Sequence, residues 1–245
     1  MTIAGSLAQQ TAEILSGVVI AQLASPGTPV FYGTCSTIMD MKIGAIALGA
    51  VEASLFTVAS AQIARFYDLP CRGTAGNTDS KVIDVQNGYE KAIGLALAAL
   101  AGVNYLWYPG TLESGHTISL EQMVIDDEIC GMVSRFVRGI DVNDETLALD
   151  VIKAVGPGKN YLGQKHTLKF FEKEQYFPKL SDRKTREVWG REGARELKAV
   201  AHERVEKLLQ EHQTEPLDKD IEKELLIIVE EIKKRELKVS YVKSK

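Results

Sequence analysis

Long and short apolar segments alternate along the first 165 residues, and this alternation constrains the fold more than any other feature. Leu7, Ile14, Leu15, Val18, Val19 and Leu23 recur at helical spacing, Pro26 and Pro29 stop that helix, and Val30-Phe31-Tyr32-Gly33 reads as a short buried strand. A second helix over about 51–67 presents Leu55, Phe56, Val58, Ile63 and Phe66, then leads past Pro70 into the short stretch Cys71-Arg72-Gly73-Thr74. Asp84 can cap a third helix that reaches about Ala101, and the clearest strand follows at 103–108. Ser119, with Gln122 and the acidic Glu121, resembles a helix start, and Gly139 suits its C-terminal end. A further helix over about 143–154 leads through Gly156-Pro157-Gly158 to a last strand expected near 160–162. Crossovers of this size join parallel strands, so the expected class is α/β, built from about four parallel βα units.

From about His166 the character changes. Residues 1–140 hold 12 acidic and 7 basic side chains, whereas 141–245 hold 21 and 22, so the first part must supply most of the core. Two amphipathic helices are expected in the tail, over about 183–211 and 218–237. Their apolar stripes are Val188, Ala194, Leu197, Val200, Val205 and Leu208, then Ile221, Leu225, Ile228, Val229 and Ile232.

Composition excludes several functions. A net charge of −4 argues against a nucleic-acid partner, whose binders usually carry a basic face. The most apolar window, 92–107, is about four residues short of a membrane span and is broken by Gly94, Gly102 and Asn104. No membrane association is expected. Cys35, Cys71 and Cys130 are widely spaced and follow no C-x-x-C or Cys/His zinc pattern, and the N-terminus lacks the charged and apolar regions of a secretory signal. A cytoplasmic protein without a disulfide framework is the expectation.

In parallel βα architectures the reacting groups sit in the loops after the strands. That rule selects Tyr32, Gly33, Thr34 and Asp40; then 73–81; then Tyr108, Glu113 and His116; then Gly163, Lys165 and His166. The loop 73–81 matches neither G-x-G-x-x-G nor a P-loop, and Asp79 and Asp84 would repel phosphate. Glu113 and His116 could shuttle a proton, but two residues do not make a metal site, and no metal is expected. Asp126, Asp127 and Glu128 are consecutive on a helix and cannot all line one site. Tyr32, Trp107 and Tyr108 stand at strand ends, where aromatic faces either pack in a core or cage a quaternary ammonium. Strand alternation turns only one of Trp107 and Tyr108 inward.

Many runs in order resemble the trimethylamine methyltransferase family. They include Pro29-Val30-Phe31-Tyr32-Gly33, Met39-Asp40-Met41, Ala61-Gln62-Ile63-Ala64-Arg65-Phe66-Tyr67, Thr78-Asp79-Ser80-Lys81, Asp84-Val85-Gln86-Asn87-Gly88-Tyr89-Glu90-Lys91, Val124-Ile125-Asp126-Asp127-Glu128 and Tyr161-Leu162-Gly163. The resemblance covers most of the chain to about Gly193. It implies a TIM-barrel enzyme that moves a methyl group from a methylated amine to the Co(I) of a corrinoid (cobalamin) carried by a separate, cognate corrinoid protein. Tyr32, Tyr108, Asp79, Lys81, Gln86, Glu113 and His116 are then the expected substrate-binding residues, with the tyrosines on the cation and Lys81 on a substrate carboxylate.

Two departures from the family pattern refine this expectation. Members that use trimethylamine carry pyrrolysine, which is not written here. That favours relatives without it, for which quaternary amines such as glycine betaine are substrates. The match also corresponds to the C-terminal half of a protein about twice as long. The expected architecture is therefore the C-terminal half of a (β/α)8 barrel over 1–175 with a helical extension over 176–245. Because four strands cannot close an eight-stranded barrel, either a homo-oligomer or a missing N-terminal half is expected. An inactive, assembly-only half-barrel, or another small-molecule barrel activity, is the alternative.

Overall fold

A computed structural model describes residues 2–236. Helix α1 (Ile3–Ala24) starts where the Thr2 hydroxyl accepts the Gly5 N–H and ends at Ser25, just before Pro26. Strand β1 (Tyr32–Gly33) follows, then a hairpin of β2 (Ile38–Asp40) and β3 (Ala45–Ala47). Helix α2 (Val51–Phe66) leads to β4 (Cys71–Thr74), and α3 (Val85–Leu100) to β5 (Tyr105–Trp107). A second hairpin, β6 (Thr111–Leu112) and β7 (Thr117–Ile118), precedes α4 (Leu120–Val137). The helices α5 (Asp144–Leu147), α6 (Leu149–Val155), α7 (Lys165–Glu174), α8 (Arg186–Arg191), α9 (Leu197–Glu211) and α10 (Lys219–Glu236) complete the described chain. Contacts divide the protein into two compact units, Met1–Val205 and Glu206–Lys245.

The caps read from the sequence are formed: Asp84 accepts the Asn87 N–H at 2.9 Å, and the Ser119 hydroxyl accepts the Gln122 N–H at 3.2 Å. The parallel sheet has the order β1-β4-β5. Three parallel strands are therefore present among the described residues rather than four. The segment at 160–162 forms turns instead. The Asn160 side chain accepts the Leu162 N–H, while the Tyr161 carbonyl accepts both the Gln164 N–H and the Thr167 hydroxyl. These local bonds take the groups a strand ladder would need. The helix expected at 143–154 is split by Ala148 at φ 51°, and the one expected at 183–211 is split by Gly193 and Ala194, both at positive φ. Leu237, expected at the end of the last helix, lies outside the described residues.

Register decides which sheet face carries the helices. Cys71 packs with Ala61 and Ala64 of α2 and with Tyr32, while Leu106 packs against Ala75, Leu95 and Ala98. Arg72 pairs with Tyr105 and Thr74 with Trp107; Arg72, Tyr105 and Trp107 turn to the opposite face, whereas Thr74 is buried with its hydroxyl 3.5 Å from that of Thr57 on α2. That face is bare: Phe31, Tyr105 and Trp107 are 55%, 55% and 47% exposed. Parallel sheets are ordinarily covered on both faces, so the uncovered one is the unusual feature of this fold.

The acidic triplet serves three separate purposes. Asp126 and Lys91 form a fully buried ion pair at 2.8 Å; Lys91 also donates to the Gly76 carbonyl, and Asp126 accepts the Gly110 N–H and the Gln122 amide. Burial pulls the Lys91 pKa down, and Asp126 opposes that pull. Asp127 is exposed beside Lys179. Glu128 accepts the backbone N–H groups of Lys179 and Ser181 at 2.9 and 3.1 Å, anchoring the segment whose Leu180 packs with Ile125 and Ala201.

Two outcomes follow from these buried charges. Lys91→Met strands the Asp126 carboxylate and should cost about 3–5 kcal/mol in urea unfolding, more than Lys91→Met combined with Asp126→Leu. Burial pushes the Glu128 carboxyl up, but its backbone donors outweigh this and hold the pKa below its ordinary value of 4.5. Its contribution is thus present above that value and is lost as pH falls through the depressed folded pKa. Glu128→Gln should lower stability by about 1–3 kcal/mol at pH 7 and leave a smaller loss on acidification, as read by denaturation at pH 7 and pH 3.

Candidate active site

A cavity of about 500 Å³ opens among the loops that follow the strands. One wall is the β2–β3 hairpin, with Asp40, Ile43, Ala45, Ile46 and Ala47; the second is Asp79, Lys81 and Gln86; the third is Glu113, Ser114 and His116. Five of the seven residues expected from the sequence therefore share one cavity. Tyr108 stands behind the third wall, where its ring abuts Gly115 so closely that a Cβ there would lie 2.8 Å from the ring. Tyr32 is elsewhere: it is fully buried under α1, its hydroxyl 2.8 Å from that of Thr11 and 3.4 Å from the Gln10 amide. Its position in β1 turns the ring toward α2, away from the bare face.

Glu90, which the sequence did not single out as a site residue, organises the second wall. From α3 its carboxylate accepts the Thr78 hydroxyl at 2.6 Å, the Asp79 N–H at 2.9 Å and the Gln86 amide at 2.9 Å. The one available signal was its position four residues after Gln86, on the same helix face. Asp79 is thereby held with its backbone tied down and its side chain free to accept the Ser114 hydroxyl at 2.5 Å. The hairpin approaches this clamp at Gly49, where an added Cβ would lie 2.5 Å from the Glu90 carboxylate and 2.8 Å from the Asp79 nitrogen. Only glycine fits.

The third wall is a strained turn. Glu113, Ser114 and Gly115 are consecutive residues at φ 53°, 52° and 85°, a conformation that costs non-glycine residues about 1–3 kcal/mol each. Two cross-loop bonds hold it, from Glu113 N–H to the Ser80 carbonyl and from Ser114 N–H to the Thr78 carbonyl, each 2.8 Å. The Glu113 carboxylate accepts the Thr117 hydroxyl at 3.0 Å, and His116 Nδ1 lies 2.9 Å from the Glu113 carbonyl oxygen. Lys81 folds back to donate to the Asp79 carbonyl at 2.8 Å. Three carboxylates, Asp40, Asp79 and Glu113, and one ammonium, Lys81, thus line the cavity, and Ile43, Ala45, Ile46 and Ala47 add an apolar side. Such a lining favours a cation carrying alkyl groups. Among the described residues no group of three or more His, Cys, Asp and Glu side chains could hold a metal ion.

The sequence matches a known family. The sequence model described as "Trimethylamine methyltransferase (MTTB)" matches residues 1–239. The chain belongs to the trimethylamine methyltransferase family. It is 42% identical over 225 residues to a glycine betaine methyltransferase of Desulfitobacterium hafniense (strain Y51), covering 91% of this chain and 47% of that protein. The trimethylamine methyltransferase MttB of Methanosarcina thermophila is 42% identical over 223 residues, covering 91% and 46%, and that of Methanosarcina barkeri 42% over 232 residues, covering 95% and 47%. The chain spans about half the length of these curated relatives. No helix among the described residues is long and apolar enough to cross a membrane.

Gly49→Ala should force the hairpin off the Glu90 clamp at a cost of about 1–3 kcal/mol. The diagnostic readout is hydrogen exchange, in which the Asp79 amide loses protection while that of Cys71, in the sheet, keeps it.

Proposed function

We propose that the protein is the C-terminal half of a methyltransferase that takes a methyl group from a tertiary or quaternary methylated amine, such as trimethylamine or glycine betaine. The carrying observation is the convergence of Asp40, Asp79 and Glu113 on a cavity whose remaining wall is apolar. In this reading residues 1–175 are half of a (β/α)8 barrel and 176–245 its helical extension, and the remaining half of the relatives' length completes the barrel. The protein would work in the cytoplasm.

The methyl acceptor would be a Co(I) corrinoid carried on a partner protein, which supplies a strong nucleophile. The donor set agrees with a group carried elsewhere: the cavity offers carboxylates, one ammonium, one imidazole and a hydrocarbon wall, and its carboxylates are tied to loop hydroxyls and amides. Asp79 and Glu113 would hold the ammonium by charge, with Asp79 fixed by Ser114 and Glu90. The hydrocarbon wall from Ile43 to Ala47 would exclude water from the methyl groups. When the carbon–nitrogen bond breaks, the electron pair stays on nitrogen and a neutral amine leaves, so a quaternary donor requires no proton from the protein. A tertiary donor held as its protonated ammonium likewise leaves as a neutral amine, so it too takes no proton from the protein.

A second reading is favoured by the bare sheet face: this chain would be inactive by itself and serve as an assembly piece. Equilibrium binding of trimethylamine and glycine betaine to the folded chain separates the two. Saturable binding that weakens about tenfold in Asp79→Asn and in Glu113→Gln supports the first reading. Absence of saturable binding, with activity only when a second polypeptide is added, supports the second.

A further inference from the structure

A second cavity, of about 340 Å³, lies among residues 178–200 and shares no residue with the one between the loops. Its floor is the segment 178–184, and its far wall is formed by Trp189 of α8 with Leu197 and Val200 of α9. The floor is fixed to α4. There the Glu128 carboxylate accepts the Lys179 and Ser181 N–H groups at 2.9 and 3.1 Å, and Leu180 is buried against Ile125 and Ala201. The far wall is set by the turn between α8 and α9, where Gly193 and Ala194 take positive φ and the Ala194 N–H returns to the Trp189 carbonyl at 2.9 Å. The Trp189 indole N–H is taken by the Arg195 carbonyl at 3.2 Å, so the ring offers the cavity only its apolar surface.

Four cations line this cavity against two carboxylates. Lys184 pairs with Glu192, and Arg195 pairs with Glu203 outside the cavity. Asp182 is turned to its own backbone, where it accepts the Lys184 N–H at 2.7 Å. Two cations are left over. Arg183 makes no ion pair among the described residues; its one hydrogen bond there, from Nη1 to the Tyr176 carbonyl at 2.9 Å, orients the guanidinium and leaves most of its five donors open. Lys179 has only Asp127, at 3.5 Å, and both of those side chains are exposed. On a convex surface water satisfies such groups. In a concave site beside an apolar wall their field is focused, and an anion entering there gains more than it would on open surface.

We propose that this cavity is a second binding site, for a small aromatic carboxylate whose acidic group meets Arg183 and Lys179 and whose ring lies against Trp189 and Leu180. A planar carboxylate matches the guanidinium fork with two parallel hydrogen bonds, and an aromatic body matches the indole and the leucine beside it. The volume is at the lower end of the range of about 300–1,000 Å³ in which small-molecule sites fall. The site is independent of the methylated-amine reading, because no residue of that cavity and no strand of the sheet contributes to it.

Nuclear magnetic resonance of the ¹⁵N-labelled chain tests this through the Trp189 indole N–H, with benzoate as the probe and ionic strength held constant. Benzoate should move that signal saturably, with a Kd below about 10 mM. Benzyl alcohol, which keeps the ring without the charge, and acetate, which keeps the charge without the ring, should each bind at least about tenfold more weakly. Arg183→Gln should weaken benzoate binding at least about tenfold, and Arg183→Lys, which keeps the charge and loses the fork, should restore part of it. The Trp107 indole, on the sheet, reports binding elsewhere, and its response should be the same in Arg183→Gln as in the parent chain. A Trp189 signal that benzoate does not move saturably overturns the proposal, as does equal binding of benzyl alcohol or acetate. Undiminished benzoate binding by Arg183→Gln, with the amide spectrum of the folded chain, overturns it as well.

Discussion

The buried ion pair between Lys91 and Asp126 is the interaction on which the rest of the site depends. It is a costly choice, because both groups are completely removed from water and the ammonium is pulled toward its neutral form by that burial. The cost is offset by how many elements the pair joins. Lys91 comes from α3 and binds the loop after β4 at Gly76; Asp126 comes from α4 and binds the loop after β5 at Gly110. One pair thus fixes two helices and two of the three segments that carry cavity walls. An apolar pair of the same size would pack the helices equally well but would leave the Gly76 carbonyl and Gly110 N–H without partners.

Given that frame, the cavity is built by loops that hold one another. The turn at Glu113, Ser114 and Gly115 is unfavourable on its own and persists because Thr78 and Ser80 bind its amides. The loop containing Asp79 is equally dependent on Glu90. Strain and fixation together present two carboxylates, Asp79 and Glu113, at set positions instead of on mobile surface loops.

The same three-stranded sheet that supports the site leaves its inner aromatic face open and both edge strands unpaired within the described chain. Parallel strands rarely persist so exposed. The chain's coverage of about half of each curated relative supplies a consistent reason, since further strands have to come from the rest of such a protein. Phe31, Tyr105 and Trp107 are about half exposed, and the Arg72 Nη2 has no partner among the described residues.

Much of this was legible in the residues alone. Helical spacing, the Asp84 and Ser119 caps, the parallel order of three strands and the convergence of Asp79, Lys81, Gln86, Glu113 and His116 all follow from local periodicity, capping chemistry and the rule that loops after strands meet. The sequence missed what depends on partners distant in the chain. It placed a strand at 160–162 because apolar character is local, whereas pairing requires a neighbour and the turn bonds of Asn160 and Tyr161 won. It put Tyr32 in the site because it ends a strand, yet which face a strand residue takes is settled by register, and register turned Tyr32 toward the helices and Arg72 toward the open face. Gly49 and the Lys91–Asp126 pair have no local signature and Glu90 only its spacing from Gln86, since a close approach, a buried charge or a hydrogen-bond acceptor acquires its role only when packing brings the other half of the contact to it. The sequence by itself determined the elements and the charge of the loops; tertiary structure decided which of those charges are paired, because pairing across 35 residues is a property of packing and not of spacing.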